Sequence, residues 1–319
     1  MLTMNTQTES TPAWARSGTA LKDVESVEEL LHQAGLNWRV TKVPLVTDDH
    51  HYTKVPKRYA IVRQDTPDDA GAVLGVVGRA YAPVDNATAM EFFDKLVRRA
   101  GATFTRAGAL AGGERVFAFA RLPIPTEVTP GDTVEKTLLL VSSHNGSRAL
   151  TICVSPIRVA CQNQISLAIR RGWGVTIKHT AGGANLHAVE MDKIVDRIHR
   201  RYTRAAEVMK QLAATKIDKW QFEQFVRTLL PATPQDLESR PGLRAKRETL
   251  SYLFEHGRGA ELSRGTLWGA VNAAVECQDY QYATRRRGNS IQSAILGDGA
   301  RLKERAWEIA TQMAKVNLN

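Results

Sequence analysis

The sequence predicts an α+β fold, an antiparallel sheet with packed helices followed by a mainly helical C-terminal region. Three observations carry that expectation. Up to His179 the apolar residues come in short runs rich in Val, Ile, Tyr and Phe, punctuated by Gly, Pro, Asn and Asp, the pattern of strands joined by tight connections. Asn145-Gly146 sits between two such runs, and this pair supplies the positive φ of a hairpin turn at little steric cost. From Leu186 onward the period changes. Met191, Val195, Ile198, Tyr202, Ala205, Met209 and Leu212 alternate spacings of four and three, which is a heptad seam. The chain thus divides into a polar stretch over 1–20, expected to be disordered, a sheet domain over 21–184 and a helical region over 185–319.

The first half holds most of the strand signals. Ser26 to Glu29 reads as a capping box, in which serine and glutamate side chains satisfy backbone donors of the first turn, and Gly35 closes the helix. Trp38–Val46, Tyr59–Arg63, Val73–Gly78 and Tyr81–Val84 are expected to form an antiparallel meander. Asp85-Asn86 then caps a helix through Arg99 whose Ala89, Phe92, Phe93, Leu96 and Val97 pack on that meander, with Gly101 as its stop. Thr103–Ala107 and Arg115–Pro123 flank the glycine-rich Gly108–Gly113. A phosphate loop is excluded there, since the segment lacks GxxxxGK[ST] and leads into a strand, so a hairpin tip is expected. Pro123–Gly131 reads as a surface connection to the hairpin of Thr137–Val141 with Ala149–Val154.

Beyond that hairpin Pro156 has no N–H to give a ladder, so the strand bends at Ser155-Pro156. At Gln162 the spacing turns helical through Ile165, Leu167, Ala168 and Ile169, ending in Arg170-Arg171-Gly172. Val175–His179 is a last strand. Leu186–Ala214 is the long helix. Asp218–Leu230 follows, then a Pro-broken linker over Pro231–Pro241 and helices over Leu243–Glu255, Thr266–Tyr282 and Gly299–Val316.

A chain of 319 residues with 43% apolar content can bury a sizeable core, and its formal charge of +10 points to a polyanionic partner. No run of eighteen apolar residues and no leader pattern is seen, so neither membrane nor export is expected. Cys153, Cys161 and Cys277 lie in apolar patterns without CxxC spacing, as buried thiols of a reducing cytoplasm do.

Several blocks carry a resemblance. Ser143-His144-Asn145-Gly146-Ser147, Pro156-Ile157-Arg158-Val159 and Cys161-Gln162-Asn163 come first. With them go Arg58-Tyr59-Ala60, Leu74-Gly75-Val76-Val77-Gly78 and Tyr81-Ala82-Pro83-Val84. Gly265 to Ala273 and Gly297 to Lys303 complete the set. Together they resemble the phage/plasmid-like family, domain of unknown function nine-three-two, over Leu30 to Ala310. That resemblance implies a mobile-element origin and no settled activity. Where members often carry an aromatic and a histidine, this chain has Cys277 and Gln278.

Between Arg158 and Arg258 there are 18 basic and 10 acidic residues, a net +8. Lys193, Arg197, Arg200 and Arg204 follow the seam's rhythm two positions later, roughly 200° round the helix, with Asp192 and Asp196 beside them. The expected function is non-enzymatic binding of nucleic acid, DNA first and single- or double-stranded, in recombination, annealing or replication of the element. The contacts expected are Arg158, Arg170, Arg171, Lys193, Arg197, Arg200, Arg201, Arg204 and the triplet Arg285, Arg286 and Arg287. The seam would dock the helix on the body or on another copy in a homo-oligomer. A protein-interaction module that counters a host defence factor is the competing reading. His144 among Ser142, Ser143 and Ser147 sits in a hydroxyl-rich turn with no carboxylate implied to orient it, so no catalytic residue is assigned. Asn272, Glu276 and Asp279 share a helix face and could ligate a metal through oxygen, but helix-surface polarity, or Asn272 bonding backbone in a packed interface, is the stronger reading. No zinc motif is present and no cofactor is expected.

Overall fold

β-Branched runs pair locally and the longer apolar periods cover them. The computed structural model describes residues 12, 15, 18–65, 72–160, 163–164, 174–180, 191–282 and 297–316. Its strands are β1 (Thr19–Ala20), β2 (Arg39–Val46), β3 (Lys54–Gln64), β4 (Ala72–Gly78), β5 (Thr103–Leu110), β6 (Arg115–Arg121), β7 (Thr126–Thr129), β8 (Asp132–Glu135), β9 (Thr137–Ser143), β10 (Leu150–Val154), β11 (Ile157–Arg158), β12 (Asn163–Gln164) and β13 (Gly174–Ile177). The helices are α1 (Val27–Gln33), α2 (Asn86–Arg99), α3 (Met191–Ala214), α4 (Lys219–Leu229), α5 (Pro234–Ser239), α6 (Pro241–His256), α7 (Leu267–Glu276) and α8 (Asp298–Met313). The expected α+β class holds, with antiparallel sheets and a helical C-terminal region.

Among the described residues the central sheet has the order β1-β5-β6-β9-β10-β13, antiparallel throughout. The predicted hairpin is β9–β10, with Thr151 opposite Val141 and Val154 opposite Leu138. Every residue of β9 is buried, because both faces are covered. Leu138 and Leu140 join one apolar cluster with α1 and α2, while Leu139 and Val141 join Phe117, Phe119 and Cys153 on the other side. Smaller sheets, β2-β3-β4 and β12-β11-β8-β7, flank it.

Several expectations are corrected. Thr19–Ala20, assigned to a disordered stretch, pairs with β5. Tyr81–Val84 is irregular: Lys42 Nζ donates to the carbonyls of Arg79 and Tyr81, and Pro83 has no N–H for a ladder. α2 packs on α1, α3, β5 and β6, and shares one apolar cluster with Val40, Ile61, Leu74 and Val77 of the meander, so it covers the central sheet as well as the meander. Asp85 is its N-cap by backbone geometry, but its carboxylate accepts from Val40 N and so ties the helix start to β2. Pro123–Gly131 contains β7, whose hairpin with β8 the proline-rich approach concealed. Asn163–Gln164, where helical spacing was expected to begin, is a strand paired with β11, and 165–173 lies outside the described residues. The proline linker contains α5, started by Pro234 at its first position and a capping box from Thr233 to Asp236.

α3 ties the two regions together. Ile194, Ile198 and Tyr202 lie in the cluster that holds α2, whereas Ala205, Val208, Met209 and Leu212 lie in the C-terminal cluster. The heptad seam therefore packs against both apolar clusters within the chain, with Met191 and Val195 partly buried. α7 carries no charge before Glu276 and is buried on all sides against α3, α6 and α8.

Candidate nucleic-acid interface

α3 is a helix because good formers carry an unbroken apolar stripe for 24 residues. At about 100° per residue, Lys193, Arg197, Arg200 and Arg204 fall within about 60° of arc and span about 16 Å along the axis. All four are exposed, while Ile194, Ile198, Tyr202 and Ala205 face inward. Of the two acids beside the row, Asp192 is paired with Arg99 of α2 at 2.8 Å, and Asp196 is exposed. Arg201 turns away from the row: it is half-buried, and its Nη1 has no hydrogen-bond partner.

Arg158 is a correction. It is fully buried, and its Nε and Nη2 donate to Asp132 Oδ1 and Oδ2, both at 2.7 Å. Nη2 also reaches the Gly259 carbonyl at 2.9 Å, and Trp268 Nε1 donates to Asp132 Oδ2 at 2.9 Å. No phosphate can approach a guanidinium enclosed in this way. It pins β11 and β8 to the turn at Gly259 and, through Asp132, to Trp268 of α7, and Gly259 fits because a Cβ there, at φ 69°, would meet Ala160 Cβ at 2.8 Å.

Glu276 and Asp279 are likewise committed to protein partners. The Asp279 carboxylate pairs with Lys303 Nζ in a fully buried contact. Glu276 accepts from Arg258 N at 3.0 Å and lies 4.0 Å from Arg258 Nε. Burial nonetheless pushes Glu276 up to about 7, since half-exposed Arg258 is too distant to offset the lost hydration. Burial lowers Lys303, against the pull of Asp279. Asn272 Nδ2 donates to the Trp268 carbonyl at 2.8 Å. Among the described residues no group of three His, Cys, Asp or Glu side chains is placed to hold a metal. The π-turn Cys277–Tyr282 carries Asp279 inward and lays Tyr280 against Arg258, 4.0 Å from its guanidinium.

His144 has a structural place. Asn86 Nδ2 donates to the carbonyls of Leu36 and Trp38, so its Oδ1 faces His144 Nε2, at 2.9 Å, as an acceptor. The imidazole is thereby fixed as the neutral tautomer with its proton on Nε2. Burial, then nearby His179, lowers it to about 4. His179 stacks on Tyr81, whose hydroxyl donates to the Ser143 carbonyl. Gly75 admits the hairpin tip, because a Cβ there would lie 2.6 Å from Asn145 Cα.

Arg170, Arg171, Arg285, Arg286 and Arg287 lie outside the described residues. Sequence reasoning missed a groove of about 620 Å³ where the basic row ends, lined by Arg204, Glu207, Gln211 and Lys315 with Val208 and Val316. No local spacing announces it, since α3 and the residues after α8 are about a hundred positions apart. No helix among the described residues is long and apolar enough to cross a membrane. Residues 73–296 match the family model described as Domain of unknown function (DUF932). No curated protein and no solved structure matches the chain.

Proposed function

This chain belongs to the DUF932 family, and we propose that it is a non-enzymatic cytoplasmic protein that binds the phosphate backbone of nucleic acid, DNA first, along the outer face of α3. The mobile-element processes that need such a protein are recombination, strand annealing and replication. The observation that carries this reading is the row of Lys193, Arg197, Arg200 and Arg204 on one exposed flank of a helix whose opposite flank is anchored in both apolar clusters. The helix backbone that carries the row is already ordered before binding, and each neutralised phosphate releases counterions, so affinity falls steeply with salt.

Reversing Arg197, Arg200 and Arg204 to glutamate tests it. The expected result is loss of oligonucleotide binding at low salt with an unchanged fold by circular dichroism. Unchanged affinity removes α3 from the reading.

A further inference from the structure

We propose that the groove at the C-terminal end of α3 takes one unpaired nucleobase, guanine in preference, from a single strand whose phosphates lie along the α3 row. This deepens the proposed function and rests on it. The row and the groove are continuous, because Arg204 belongs to both. Val208 and Val316 supply apolar wall, Glu207 and Gln211 supply polar groups, and Lys315 supplies a second cation. Its volume of about 620 Å³ lies within the range of small-ligand pockets.

The polar groups decide the base. A carboxylate only accepts, through two oxygens. Guanine presents N1–H and the N2 amino group side by side on its pairing edge, two donors matched to that fork. Adenine and cytosine set a ring acceptor beside the amino group, and thymine flanks its single N–H with two carbonyls, so Glu207 repels part of each edge. In a duplex this edge is already paired, which selects a single strand.

Lys315 adds an independent sign. It lies two residues past the end of α8, at φ 53°, and its N–H bonds the Gln312 carbonyl while Val316 N bonds the Thr311 carbonyl. Glycine is the ordinary residue for a left-handed position just past a helix. Here a lysine occupies it and lines the groove.

Fluorescence anisotropy in lithium buffer, which disfavours guanine self-association, compares oligothymidine, an alternating thymidine–guanosine strand of equal length, and that strand in duplex. The alternating strand is expected to bind about tenfold tighter than either of the others. Glu207→Gln brings it to within about twofold of oligothymidine, with the salt dependence unchanged. Lys315→Gly weakens it several-fold while holding or raising the unfolding temperature. Salt-dependent binding without base preference, or preference that survives Glu207→Gln, overturns the groove and leaves the α3 row standing. Equal binding of the duplex overturns it too, as does saturation by guanosine monophosphate alone at the strand's affinity. Absence of binding by every probe overturns both readings.

Discussion

Arg158 and Asp132 face each other through two 2.7 Å hydrogen bonds in a site closed to solvent, joining β11 to β8 beside the indole of Trp268. Replacing both ends of such a pair by apolar groups costs little, whereas removing one leaves an uncompensated buried charge. Arg158→Met is therefore expected to lose about 3–5 kcal/mol in urea unfolding. Adding Asp132→Leu to it recovers part of that loss.

The surface row answers to a different measurement. Each phosphate contact on a single strand contributes about −0.7 to the slope of log affinity against log salt. Arg197→Ala with Arg200→Ala should flatten that slope by about 1.4. Folded Arg158→Met should keep the wild-type slope, because its guanidinium never meets solvent.

Acid should unfold the protein through His144. Its folded value of about 4 lies below the unfolded value of about 6.5, so the unfolded chain binds the proton more tightly. Stability from this group is complete above pH 6.5 and is lost as pH falls toward 4, by on the order of 3 kcal/mol. His179 is lowered as well and adds in the same direction. His144→Gln keeps a donor for Asn86 Oδ1, and its thermal unfolding should depend less on pH across that window.

Glu276 works in the opposite direction. Raised to about 7, it holds its proton better in the folded chain than in the unfolded one. It costs nothing below about pH 4.5 and costs increasingly as pH rises toward 7. Glu276→Gln retains an oxygen for Arg258 N. It should therefore unfold at higher temperature than wild type at pH 8, with the difference closing by pH 4.5.

Much of the fold was legible locally. The β9–β10 pairing follows from apolar runs on either side of Asn145-Gly146, and Gly146 has the positive φ that this turn needs. The connection is wider than a two-residue turn, because His144 is drawn inward to Asn86 and Asn145 Oδ1 accepts from Ser147 N. The face of α3 that is buried was legible for the same reason, since helical periodicity sorts residues by side without reference to the rest of the chain. β7, β12 and α5 were not, because segments this short are stabilised by pairing and packing partners and not by their own pattern.

The sequence by itself determined an α+β protein with a hairpin at Asn145-Gly146 and a helix whose cations share one exposed face, since period and turn chemistry are local quantities. Only the tertiary structure decided which positive charges meet water. Arg158 and Arg197 are the same residue type in the same basic stretch, yet Asp132 and Trp268, distant in sequence, enclose the first, whereas the second is exposed among the described residues. Solvation of a charge depends on neighbours brought from far along the chain, and no spacing rule contains them.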